Sequence, residues 1–184
     1  MPNFRRYFVA GGTYFFTVVT YRREPFLCTK LARQILRNAL RREQAKRPFE
    51  IVGIVLLPDH LHSMWSLPSG DDRYPIRWSA IKAEFTREWL TAGGSESTVT
   101  TAQKQEERRG VWQPRYFEHT IDDAEDFHQH MDYMHYNAVK HGYVSSPLEW
   151  RWSSFHRYVL TGDYEPDWGR AVIETPRVRA DLLE

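Results

Sequence analysis

An α+β fold, a ferredoxin-like split β-α-β sandwich with an antiparallel sheet, is the class that this sequence predicts. Three observations carry it. Short runs rich in aromatic and β-branched residues alternate with segments of helical period; they fall in the order strand, helix, strand, strand, helix, strand; and one further helix follows. A chain of 184 residues suits one domain with a substantial core.

The N-terminus runs through Asn3-Phe4-Arg5-Arg6-Tyr7 to Gly11-Gly12, a flexible turn. Tyr14 to Thr20 is the first strand. Arg22-Arg23 follow it at once, and basic pairs interleaved with Phe4, Tyr7 and Tyr14 suit phosphates and stacked bases; they equally suit a charged strand edge. From about Thr29 to Lys46, Leu31, Ile35, Leu36, Ala39 and Leu40 repeat at helical spacing, with Arg33, Arg37, Arg41 and Arg42 around the rest of the circumference. Pro48 ends that helix. Phe49 to Leu57 forms the second strand, and His60 to about Leu67 the third, joined through Pro58-Asp59. Trp78, Ile81, Phe85 and Trp89 mark a second helix over Ile76–Leu90, closed by Gly93-Gly94. Residues 95–110 are polar and read as a mobile insertion. Val111 to His119 is the expected fourth strand. A third helix starts near Thr120 or Asp122, where acidic residues suit the first turn, and stops at Gly142. The aromatic stretch Trp150–Tyr158 should pack back on the domain, with order ending after Trp168.

The domain therefore spans 1–169, with residues 1–13 as an N-terminal arm and 170–184 as a tail. A single cysteine, Cys28, excludes a disulfide framework and a cysteine-based zinc site, and no apolar run approaches a membrane span or the core of a signal peptide. A cytoplasmic protein with no membrane partner is expected. The net charge of +1 hides an asymmetry: residues 1–50 carry 11 Lys/Arg against 3 Asp/Glu. A basic first third beside an acidic remainder suits nucleic acid, or simply a solvated helix face.

Two patterns carry chemistry. On the third strand His60 and His62 are two apart, so both imidazoles share one face while Leu61 turns to the core. They could share a cation, or each could simply hydrogen-bond to a neighbour. On the third helix, Phe127, Met131, Met134 and Ala138 form an apolar stripe, and beside it run Asp126, His130, Tyr133, Asn137, Lys140 and His141. Tyr133 and Asn137 are four apart and adjacent on the helix surface. Asn137 could therefore reach a metal held by the histidine pair while Tyr133 points at whatever that metal polarises; a half-buried structural tyrosine is the other reading.

Asp59-His60-Leu61-His62 after a Leu-Leu-Pro strand, Trp112-Gln113-Pro114-Arg115-Tyr116-Phe117-Glu118-His119 and Asp132-Tyr133-Met134-His135-Tyr136-Asn137-Ala138-Val139-Lys140-His141-Gly142 resemble the REP-associated tyrosine transposases. These are bacterial relatives of the single-strand transposases of the HUH (His-hydrophobic-His) class. Phe4-Arg5-Arg6, Gly11-Gly12, Phe15-Phe16-Thr17 and Trp152-Ser153-Ser154-Phe155-His156-Arg157 also match, so the likeness covers about residues 3–169.

The resemblance implies metal ligands at His60 and His62 with Asn137 as third ligand, Tyr133 as nucleophile and Lys140 as its helper. His130 and His141 would be supporting groups. The expected cofactor is Mg2+ or Mn2+; imidazole suits Mn2+ better, and abundance favours Mg2+. The implied reaction cuts and rejoins single-stranded DNA at REP-type hairpins through a 5′-phosphotyrosine link, with a short guide tetranucleotide beside the hairpin. Arg5, Arg6, Tyr7, Arg22 and Arg23 are the candidate DNA-binding residues. A bacterial, nucleoid-associated protein acting as a monomer is expected. The rivals are a non-catalytic hairpin-binding protein and a metal-dependent nuclease that uses water. Two departures stand out: Ala138 replaces the family's usual proline, and residues 95–110 are longer than the usual connection. Neither removes a catalytic group.

Overall fold

Thr13–Val19 form β1 in the computed structural model, which describes residues 9–106 and 108–170. The expected arm residues Arg5, Arg6 and Tyr7, and the tail beyond residue 170, lie outside the described residues. α1 (Lys30–Lys46) starts where the Thr29 side chain accepts the Ala32 N–H, and it stops at Arg47 before Pro48. β2 (Glu50–Leu56) and β3 (His60–Ser66) follow, then α2 (Tyr74–Thr91). Gly93 leaves α2 with φ of 85°, a conformation that costs glycine little.

With β4 (Phe117–Thr120) the sheet order is β2-β3-β1-β4, each neighbouring pair antiparallel. This is the predicted α+β arrangement, with the first and third strands in the middle. Tyr14, Phe16 and Val18 of β1, with Leu61 and Trp65 of β3, face α1 and α2. Trp65 stacks on Trp78 at 4.2 Å between ring centroids, and Arg42 of α1 pairs with Glu84 and Glu88 of α2. Phe15, Val55 and Met64 emerge on the opposite face. That face is covered by α4 (Ala124–Lys140), which buries Met131 and Met134 against it and is capped by the Asp123 carboxylate accepting the Asp126 N–H. The sheet is therefore sandwiched between two helices and a third. A register shift between Ile51 and Gly53 bends β2 below α4, and a Cβ at Gly53 would collide with the Met134 side chain.

Two segments differ from expectation. β4 is only Phe117–Thr120; of the segment expected to precede it, Trp112 alone bridges to Thr20. Pro114 interrupts the run and has no N–H to give a ladder, so pairing resumes only beyond it. Within the polar 95–110 segment, Thr101–Gln105 forms α3 with a reciprocal Thr100–Gln103 capping box, and Arg109 pairs with Glu96 at 2.7 Å.

Trp150 to Ser154 packs back as expected and lies along the outer edge of β2. Leu56 N donates to Trp152 O at 2.9 Å, Ser154 N to Ile54 O at 2.8 Å, and Ser153 bridges Val55. Trp152 joins the cluster on the α1 side and Trp150 the cluster on the α4 side. α5 (Phe155–Thr161) closes the described domain.

Candidate active site

Two strands and one helix build the site. The register of β1 on β3 sets Thr17 opposite His62, and the pleat sends Thr17, His60 and His62 toward α4. Thr17 Oγ1 hydrogen-bonds to His62 Nδ1 at 2.9 Å, and Asp59 Oδ1 to His60 Nδ1 at 2.7 Å. Each imidazole is thus held by one nitrogen, and the other, Nε2, has no hydrogen-bond partner among the described residues. His60 is 1% exposed and His62 0%.

From α4 comes Asn137, also 0% exposed, with both amide atoms lacking a hydrogen-bond partner among the described residues. The His60 and His62 rings lie 5.0 Å apart and Asn137 is close enough to act on His62, so these buried polar atoms collect in one place; a buried polar atom left unsatisfied costs on the order of 1–3 kcal/mol, and a ligand would relieve it. Two imidazole nitrogens and an amide oxygen suit a divalent cation, and the two histidines are braced as metal-binding histidines are. The expected ligand set therefore fits.

Burial above all, then the His60 charge, pushes the His62 imidazole well below its usual range; the Asn137 amide, close by though outside hydrogen-bond geometry, opposes this, and the charges of Lys140 and His141 add to the downward push. It is neutral at pH 7, the form that ligates. Burial alone would raise the Asp59 carboxyl, but hydrogen bonds from His60 and Arg23 outweigh it and hold the group down at about 2.

Tyr133 lies beside this centre. Its ring meets His62 edge-on at 5.3 Å and Phe15 at 6.1 Å. Lys140 Nζ donates to the Tyr133 hydroxyl at 3.4 Å, seven residues along the helix. The stripe of Asp126, His130, Tyr133 and Asn137 is more deeply buried than its position at the margin of the apolar face predicts; Tyr133 is 4% exposed. The two histidines give Tyr133 and Asn137 a polar floor to settle on. His141 lies 5.2 Å from His60 between ring centroids, and from it a ladder of stacked rings leads outward through Tyr143 (5.9 Å) to Trp150 (5.4 Å).

Not every expected residue joins this centre. Arg23 does, through a 2.9 Å ion pair to Asp59, and both Arg22 and Arg23 hold positive φ (55° and 56°) in the turn after β1. His130 does not: it stacks on His119 at 4.4 Å and shares the Asp126 carboxylate with it. His119, Asp126 and His130 offer ligand atoms all within 4.8 Å of one another, a group that could bind a metal ion in its own right. Phe15 separates the two sets, 5.5 Å from His62 and 4.9 Å from His130. Sequence reasoning missed Thr17 as an orienting group, and no local signal marks it. Asp59 had one, its place directly before His60.

No family model matches the chain. The REP-associated tyrosine transposase of Escherichia coli K12 is 41% identical over 175 residues, 95% of this chain and 94% of its own length. A relative assigned to the same group in Haemophilus influenzae is 42% identical over 92% of this chain and 94% of its own. A solved structure of a REP-associated tyrosine transposase bound to a REP hairpin superposes with a TM-score of 0.75 at 38% identity, covering 97% of this chain and 98% of that one. Identity at that level over nearly the full length, on the same fold, places the chain in one group: it belongs to the REP-associated tyrosine transposases.

Proposed function

We propose that this transposase cuts and rejoins single-stranded DNA at REP-type hairpins, with Tyr133 as the nucleophile and His60, His62 and Asn137 holding a divalent cation. The observation that carries the reading is the buried, unsatisfied set of His60 Nε2, His62 Nε2 and the Asn137 amide beside the Tyr133–Lys140 pair. Mg2+ or Mn2+, held by His60, His62 and Asn137, would supply charge neutralisation at the phosphate being cut.

The Tyr133 oxygen attacks phosphorus, the bond from phosphorus to the 3′-oxygen breaks, and the departing strand keeps a 3′-hydroxyl while the 5′-phosphate stays on the tyrosine. Attack by another 3′-hydroxyl on that link reverses the step and joins strands without an energy cofactor. Lys140, donating to the phenol oxygen, stabilises the negative charge that builds there before attack and when tyrosine leaves. Burial of Tyr133 excludes water, the competing nucleophile. All these groups come from one chain, so a single copy is sufficient for the cut.

A hairpin is the partner named for the solved relative, and we extend it to this chain with a guide tetranucleotide beside the stem. We assign the DNA phosphates near the cut to Arg23, which pairs with Asp59, and to Arg22, Arg5, Arg6 and Tyr7. The test is a fluorescent hairpin with a single-stranded flank, incubated with Mg2+ or Mn2+. Wild type yields a DNA–peptide adduct by mass spectrometry, and Tyr133→Phe yields neither adduct nor cut. Cleavage that survives the substitution would mean that water is the nucleophile. Metal-independent binding without any cut would leave a hairpin-binding protein.

A further inference from the structure

Some of the described arginines are held by carboxylates, and others, Arg22, Arg87, Arg115, Arg157 and Arg170 among them, are not. Arg23, Arg42, Arg47, Arg73, Arg77, Arg108 and Arg109 each pair with a carboxylate. Arg33, Arg37, Arg41 and Arg151 have no such pair among the described residues, and these four line one groove. It runs between α1 and the tail strand on the face opposite Tyr133, encloses about 370 Å³, and has Leu36, Leu40, Ile51 and Ile54 in its floor. No Asp or Glu among the described residues lines it.

We propose that this groove is a second seat for DNA, one that grips the phosphate backbone without metal. Arg33, Arg37 and Arg41 recur every four residues on one face of α1, a step of about 6 Å along the axis, comparable to the separation of neighbouring phosphates on one strand. Trp152 fixes the end of the row: the Arg33 guanidinium sits 3.5 Å from one of its ring centroids and that of Arg151 5.0 Å. Arg33 gives its Nε–H to Cys28 O at 3.1 Å, which with the stacking fixes the plane and leaves its terminal N–H groups for oxygen acceptors; a guanidinium so held loses less freedom on binding. Four like charges held together without a counter-charge repel one another, and a polyanion relieves that repulsion.

One segment, Trp150 to Ser154, reaches both the groove and the ring ladder of the reaction centre. Leu56 donates its N–H to Trp152 O and accepts from Trp150 Nε1, both at 2.9 Å, so the tail strand sets one tryptophan on each side of the sheet. Trp150 ends the ring ladder from His60 and His141; Trp152 begins the arginine groove. Unpaired bases can stack along the ladder while the backbone beyond crosses into the groove. The proposal rests on the transposase reading only for the identity of the polyanion.

Arg37→Gln with Arg41→Gln is the test, since both side chains are exposed and neither is needed by the core. Binding of a labelled hairpin is followed by anisotropy in EDTA over a range of KCl, with thermal unfolding as the folding control. The expected result is binding about tenfold weaker at low salt, a slope of log K on log[salt] shallower by about 2, and an unchanged unfolding midpoint. Affinity within twofold of wild type with an unchanged slope overturns the groove. The Tyr133 adduct is assayed separately on the wild type: no wild-type adduct with a shallower salt slope in the double variant overturns the chemistry and leaves the groove standing, and a wild-type adduct with an unchanged slope does the reverse.

Discussion

Thr17 decides which nitrogen of His62 faces the cleft. Its hydroxyl holds Nδ1, so Nε2 is the atom left for a ligand. Thr17→Val keeps the shape of the side chain and removes that hold; we expect Mn2+ affinity, read by calorimetry, to fall about 10- to 100-fold while the fold survives. Unchanged affinity would reduce Thr17 to packing. Here the limits of sequence are plain. The period of two put His60 and His62 on one face, and the helical period brought Tyr133, Asn137 and Lys140 together, because both depend on neighbours along the chain. The Thr17–His62 bond joins residues 45 apart, and its existence depends on strand register, which no local pattern in the run from Tyr14 to Thr20 fixes. For the same reason His130 could be placed on the right stripe of α4 and still not be assigned to the Asp126–His119 group rather than to the metal centre.

At the scale of elements, Ser154 is where the tail strand is fastened. Its hydroxyl oxygen accepts the Ile54 N–H at 2.9 Å and shares a hydrogen bond with His135 Nε2 at 2.9 Å, tying tail, β2 and α4 at one point. Ser154→Ala leaves both partners buried and unsatisfied, so stability should drop by about 2 kcal/mol in urea unfolding; a loss under about 0.5 kcal/mol would show that water replaces the hydroxyl at no cost. The aromatic composition of Trp150–Tyr158 announced that this segment packs, but its use as an edge strand was not legible, since its side chains alternate between two clusters only once β2 is beside it. The bulge that turns both Ile51 and Ile54 toward α1 was equally hidden in a uniformly apolar run. α4 was read nearly to its ends, because Asp123 and Gly142 punctuate it.

The whole molecule is held at the far end by Arg77, 1% exposed, which takes Asp71 at 2.8 and 3.1 Å and donates to the carbonyls of Arg47 and Pro48. It joins α2, the end of α1 and the loop after β3. The Arg77 guanidinium, against a smaller opposing effect of burial, holds the Asp71 carboxyl well below the usual carboxylate range. The folded chain therefore releases this proton more readily than the unfolded chain. Its stabilisation is complete above about pH 5 and is lost as pH falls through 4 and below. Asp71→Asn should cost about 3 kcal/mol at pH 7, with the gap to wild type narrowing steadily as pH falls below about 4 and still open at pH 3; a gap independent of pH would overturn the assignment. One more consequence belongs to synthesis. Ile54 and Ser154 are 100 residues apart, so at about 5–20 residues per second the apolar outer edge of β2 leaves the ribosome on the order of 5–20 s before its cover. For that interval a nascent chain carries an open template for strand addition, guarded only by the mutual repulsion of the neighbouring arginines of α1.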